Sequence, residues 1–261
     1  MGKFVYLIVC LFDGLFRTVG CGAYGLSATT FDTLRLFDSR LLLSMNGSDS
    51  LYLDGVMWAI TRTATWIPMM LALAYIILKN NKLWRALLTI FFIAALILVC
   101  DQFASAFCKP HFQRLRPTHD PLIWDLVDTV HGYRGGDYGF ISSHAANTFG
   151  AATFVALLLR RWSSTFVLYV WAVLCSYSRI YLGVHFPFDI LCGALFGILC
   201  GLFFYWLFRF TLRKVSDPYE LSSTAYTPTG YQKPDISFFN MVFVFTLAYI
   251  SIRAIFYAIT L

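Results

Sequence analysis

Long apolar runs broken by short polar turns dominate the pattern of this chain. Residues 4–12 (FVYLIVCLF) form a first run, far shorter than the roughly 20 residues a spanning helix needs, and Asp13 and Arg17 interrupt its extension. It fits a weak span, an uncleaved signal-like anchor or an interfacial helix, and Thr18-Val19-Gly20-Cys21 is a poor likeness of a lipoprotein cleavage site. Residues 31–45 (FDTLRLFDSRLLLSM) alternate charged and apolar groups at helical spacing, which predicts a helix lying along the membrane interface.

After the turn Asn46-Gly47-Ser48, the pattern predicts spans over about 57–78, 83–108, 142–159, 164–182, 187–212 and 238–261. The stretch 215–237, rich in Pro, Ser, Thr and Tyr, reads as a linker. The predicted architecture is therefore all-α, a polytopic transmembrane bundle of about six spans. It divides into a segment 1–50, a core 51–214, a cytoplasmic linker 215–237 and an additional helix 238–261.

Composition narrows the class further. With 59% hydrophobic and only 13% charged residues, the chain has too little polar surface to coat a soluble globule of its length. Seven scattered cysteines lack the close pairing of a zinc site or a redox dithiol; they read as small core hydrophobes, with no disulfide framework expected. The net charge of +6 matters through its placement. Lys79 to Lys82, Arg160-Arg161 and Arg209, Arg213 and Lys214 alternate onto one side of the membrane, the cytoplasmic side by the positive-inside tendency. Three polar clusters then fall together on the opposite face: Lys109 to Pro117, Ile141 to His144, and Ser178 to Asp189.

Each cluster has a bland use. Lys109 and Arg116 can snorkel at the surface, Ser142 and Ser143 can cap the helix that follows them, and Arg179, His185 and Asp189 can form a buried ion pair between helices. Together they suit a phosphate dianion. Lys109, Arg116 and Arg179 supply donor-only cations, Ser142 and Ser143 sit at a helix N-terminus, and His144 can hand a proton to a leaving oxygen. Asp189, four residues after His185, can fix the imidazole tautomer and leave the other nitrogen free to attack. If the segment from Pro110 to Pro117 is helical, Lys109 and Arg116 share a face. Gly183 gives the chain a tight turn before His185. Nearby acidic groups are too few for a divalent metal, so neither a metal nor another cofactor is expected.

Lys109-x6-Arg116-Pro117, Ile141-Ser142-Ser143-His144 and Ser178-Arg179-x5-His185-x3-Asp189 resemble the three-part signature of the type 2 phosphatidic acid phosphatases, membrane relatives of the vanadium haloperoxidases and glucose-6-phosphatase. The resemblance spans roughly residues 50–212. It implies a lipid phosphatase of the bacterial inner membrane with its site facing the periplasm. His185 would be the nucleophile of a phosphohistidine intermediate, Asp189 its orienting partner and His144 the general acid. Lys109, Arg116, Ser142, Ser143 and Arg179 would hold the phosphate, without metal. The family's second motif is Pro-Ser-Gly-His, and Ile141 and Ser143 stand here in place of its Pro and Gly.

The implied substrates are lipid A, undecaprenyl pyrophosphate, phosphatidylglycerophosphate and phosphatidic acid, met within the bilayer and with no nucleic-acid partner. The outward site and the arginine-bearing stretch Arg114 to Arg134 favour the first two. The competing class is a transporter or channel in which the same polar clusters line a path. A third is a catalytically dead lipid-binding relative.

Overall fold

A computed structural model of the chain describes residues 28–215 and 224–260; the run at 4–12, the stretch Thr18–Cys21 and residues 216–223 lie outside it. Eight helices carry the fold: α1 (Ala28–Met45), α2 (Leu51–Thr61), α3 (Ile67–Asn80), α4 (Leu83–Gln102), α5 (Ser143–Leu159), α6 (Trp162–Tyr181), α7 (Pro187–Val215) and α8 (Lys233–Thr260). Among the described residues there is no β-strand, only two isolated bridges, so the all-α expectation holds. The five described cysteines are free.

α5 is the axis of the bundle. Ten of its residues are buried, from Ala145 to Leu159, and its most extensive contact is with α7. That contact follows from Gly193, Gly197 and Gly201, spaced every fourth residue on one face of α7. A Cβ at Gly193 would stand 2.5 Å from the Ser142 carbonyl oxygen and one at Gly201 2.7 Å from that of Gly150; at Gly197 it would overlap the carbonyl of Ala146. Only hydrogen fits there, and the two backbones pack directly.

Among the described residues three helices are long and apolar enough to cross a membrane, over Leu83–Phe112, Pro187–Arg213 and Lys233–Ile259. A fourth arises if α2 and the helical stretch from Thr63 to Asn80 count as one span, but the two are bent by 74° at Arg62. The sequence predicts a continuous span over 57–78; Trp66, turned inward and donating its indole N–H to the Ile60 carbonyl at 2.9 Å, fixes the bend instead. α5 is the shorter helix enclosed by the others. α6 spends much of its inner face on polar groups (Ser164, Ser176, Ser178, Arg179), all buried.

Two further elements depart from the sequence pattern. α1 does not simply lie on the interface: Leu36 and Phe37 are exposed, while Asp38 and Leu42 are fully buried against the bundle. The stretch 224–232 is a hydrogen-bonded turn rather than a plain linker, and α8 begins at Lys233, five residues before the predicted 238. Tyr231 is the turn's buried anchor, with its phenol accepting from Asn81 at 3.1 Å, and the Gln232 N–H donates to Asn80 at 2.9 Å.

Candidate active site

The end of the bundle that carries the candidate residues is assembled from helix ends. α6 stops at Tyr181, and Gly183 takes φ +69°, a left-handed value open to glycine; a Cβ there would overlap Val127. His185 follows in the loop, and Pro187 starts α7. The turn after α1 braces this loop, since the Asn46 amide donates to the Tyr181 carbonyl at 2.7 Å and its oxygen accepts from the Asp128 N–H at 2.7 Å.

His185 is 1% exposed and Asp189 fully buried, with 3.5 Å between imidazole Nδ1 and carboxylate Oδ2. Nδ1 has no hydrogen-bond partner at that separation. The carboxylate is pinned from elsewhere: Oδ2 accepts the Phe186 N–H at 3.0 Å and Oδ1 accepts Arg114 Nη1 at 2.6 Å. Arg114 is the residue that motif spacing does not single out. Its other nitrogen donates to Asp38 on α1 at 2.6 Å, its guanidinium lies 4.2 Å over the Phe186 ring, and Asp38 also accepts the Phe188 N–H at 3.1 Å. Arg114 therefore does not meet a head group, as the stretch Arg114 to Arg134 suggested. It is a buried cation bridging two carboxylates.

Ser142 caps α5 by accepting the Ala145 N–H at 3.4 Å, and its own N–H donates to the Asp189 carbonyl at 3.1 Å. The glycine ladder thus brings the helix N-terminus that carries Ser143 and His144 against the start of α7. The Ser143 and His144 N–H groups occupy the first helical turn, where no carbonyl lies four residues back to accept them. The Ser142 hydroxyl keeps its proton to donate.

The helical expectation for Lys109 to Pro117 fails. α4 continues through a π-helical turn (Phe103–Cys108) and ends at Phe112, because Gln113 adopts φ 47°. Arg116 lies in extended chain beyond it, with its N–H bonded to Asp137 O at 2.9 Å. Its guanidinium is buried, donating from Nε to Tyr138 O at 3.1 Å and from Nη1 to Val184 O at 3.2 Å. It reaches the same loop without sharing a helical face with Lys109. Lys109 Nζ donates to Ser105 at 3.3 Å.

Arg179, 4% exposed, donates to Thr61 at 2.7 Å and to the Tyr133 hydroxyl at 3.4 Å; its Nε is buried without a partner. Burial pushes the Tyr133 phenol up, but the bond from Arg179 and its charge outweigh that and leave it below its usual range. Gly139 closes the group: a Cβ there would lie 2.9 Å from Asp189 Oδ2 and 3.6 Å from His185 Nδ1.

The electrostatics converge on His185. Burial, then the charges of Arg116, Arg179 and Lys109, and His144 beside them, hold its pKa well below the usual imidazole value, so the ring is neutral at neutral pH. All four groups act on it at once, which is the convergence the three separated motifs predict. Among the described residues no three His, Cys, Asp or Glu side chains gather in a metal-binding group.

The PAP2 superfamily model matches residues 86–213. The chain is 43% identical over 181 residues to a lipid A 4'-phosphatase of Bacteroides thetaiotaomicron, covering 69% of this chain and 78% of the relative. It is 39% identical over 168 residues to a lipid A 4'-phosphatase of Porphyromonas gingivalis, covering 64% and 71%. The crystal structure of a PAP2-type phosphatidylglycerolphosphate phosphatase from Bacillus subtilis shares the fold with a TM-score of 0.55 at 20% identity, over 82% of this chain and 96% of that one. Fold and relatives together define an integral membrane phosphatase. The chain belongs to the PAP2 superfamily.

Proposed function

We propose that this membrane lipid phosphatase removes the 4'-phosphate of lipid A, with undecaprenyl diphosphate as the second candidate substrate. The observation that carries the reading is a neutral, buried His185 within reach of the charges of Arg116, Arg179 and Lys109, in a chain 43% identical to a lipid A 4'-phosphatase. An undecaprenyl-diphosphatase of Sulfolobus acidocaldarius, 29% identical over 164 residues, supports the second candidate. Leu122, Trp124 and Leu126 are exposed beside Arg134, whose guanidinium lies 5.9 Å over the Trp124 ring; this apolar and cationic lip suits a substrate standing in the lipid interface.

In the proposed reaction, Lys109, Arg116, Arg179, the Ser142 hydroxyl and the first N–H groups of α5 hold the phosphoryl oxygens and stabilise the charge spread over them. The Nε2 lone pair of His185 attacks phosphorus. Burial and the charges of Arg179, Lys109 and Arg116 push the His144 pKa down to about 3, and the bound phosphate dianion offsets those cations so that the ring is protonated on substrate binding. The bond to the leaving oxygen breaks, and His144 gives that oxygen its proton. The imidazole becomes cationic, so Nδ1–H closes on Asp189 Oδ2 from the 3.5 Å seen here. His144, now neutral, takes a proton from water, the hydroxide attacks phosphorus, the P–N bond breaks and inorganic phosphate leaves. No step requires a metal.

The functional unit is the core 51–214 together with α1, which supplies Asp38, in the bacterial inner membrane with the His185 end towards the periplasm and the Lys79 to Lys82 end towards the cytoplasm, as the charge pattern supports. α8 is an added helix. The test is phosphate release in EDTA from purified lipid A, undecaprenyl diphosphate, phosphatidylglycerophosphate and phosphatidic acid. Release by wild type from lipid A first, and none by His185→Ala, is expected. Metal-dependent release, or equal release by the variant, rejects the mechanism; preference for another lipid rejects the substrate.

A further inference from the structure

At the end of the bundle opposite His185, the turn between α3 and α4 and the turn 224–232 enclose a cavity of about 290 Å³. Its walls are polar and cationic, although it lies beside the start of the apolar helix Leu83–Phe112. Lys79 is neutralised there by Asp235 at 2.7 Å. Lys82 and Arg85, which also line it, have no carboxylate partner among the described residues. Arg85 Nε is shielded from solvent with no acceptor.

The remaining lining provides donors of the same kind. Lys82 precedes α4, and its carbonyl accepts the N–H groups of Arg85 and Ala86, which leaves those of Leu83 and Trp84 at the helix N-terminus without a carbonyl partner. The Tyr226 phenol accepts from Gln232 at 3.2 Å and retains its proton. The cavity is held open by the anchoring of its rim: Tyr231 is 1% exposed, and Asn80 ties Asp235 and the Gln232 N–H to the end of α3.

We propose that this cavity is a second anion site, built for a phosphate group. The Arg85 fork, the Lys82 ammonium and an open helix N-terminus match phosphate oxygens in number and charge. The occupant is either free inorganic phosphate or the phosphate of an anionic lipid head group. The site stands apart from the reaction, and the proposal does not depend on which lipid the enzyme hydrolyses.

The experiment uses the full chain in phosphatidylcholine nanodiscs and reads the fluorescence of Trp84, which lines the cavity, as wild type minus Trp84→Phe. One arm titrates inorganic phosphate. The other replaces part of the phosphatidylcholine with phosphatidylglycerol and adds native mass spectrometry of retained lipid. A saturable signal in the first arm identifies free phosphate, and one in the second identifies a head group. In either case Arg85→Gln and Lys82→Ala each weaken binding by about tenfold, the loss of one charge-assisted contact, while phosphate release from substrate is unchanged. Lys82 is exposed, so its variant keeps the test valid should Arg85→Gln fold poorly. No saturable signal in either arm, or equal binding by wild type and both variants, overturns the proposal.

Discussion

Replacing Gly139 with alanine adds one carbon at the centre of the proposed catalytic group. The new Cβ would stand 2.9 Å from Asp189 Oδ2, 3.3 Å from Arg116 Cγ and 3.6 Å from His185 Nδ1. The first distance is several tenths of an ångström inside ordinary contact, so something must move. Gly139 cannot readily retreat, because its N–H is bonded to the Arg114 carbonyl at 2.9 Å. The carboxylate cannot swing freely either, held at 2.6 Å by Arg114 and at 3.0 Å by the Phe186 N–H. Overpacking of this kind costs about 1–3 kcal/mol of stability, and a shift approaching 1 Å in a catalytic group costs about 10²-fold in rate. Gly139→Ala should therefore lower kcat for phosphate release by about two orders of magnitude while the protein still purifies folded. Gly136→Ala is the matched control, since a Cβ there meets nothing within 4 Å and its φ is not left-handed. Wild-type kcat for Gly139→Ala, or an equal loss for Gly136→Ala, would refute the argument that Asp189 must sit where it does.

Asp38→Asn removes one of the two carboxylates that a buried arginine, Arg114, meets among the described residues and should destabilise the fold by about 3–5 kcal/mol, read as a lowered thermal midpoint in detergent; an unchanged midpoint would show the pair to be dispensable. Because burial and neighbouring cations hold the His185 pKa down, the folded state binds fewer protons there than the unfolded one. Stability is therefore lost as pH falls from about 7 through the ordinary imidazole range. In the proposed reaction the neutral ring attacks, so Arg116→Gln, by removing one of those cations, should raise the His185 pKa and move the acid limb of the pH–rate profile to higher pH; an unmoved limb would exclude that control.

The histidines, Asp189, Arg179 and the helix cap at Ser142 were legible because each sits at a fixed interval from its partner or at the boundary of an apolar run. Charge alternation between the predicted spans led to the expectation that they converge. The means of convergence is also written in the chain, as glycines at 193, 197 and 201, which apolar periodicity alone does not separate from other small residues. What local pattern cannot give is a pairing such as Asp38 with Arg114, 76 residues apart, since nothing near either residue marks it. The same holds for the bend at Arg62, where a hydropathy average treats α2 and α3 as one run although Trp66 turns inward between them. The end of α4 at Gln113 depends on one residue's left-handed conformation, which a polar side chain does not announce.

The pairing of Asp38 with Arg114 also sets where the working enzyme begins. The superfamily match starts at residue 86, yet the carboxylate that holds Arg114 against Asp189 comes from α1, so exchanging this amphipathic helix for that of a relative should leave insertion intact and mistune turnover. Divergence among relatives in that peripheral segment is thus free only where acid and base change in step.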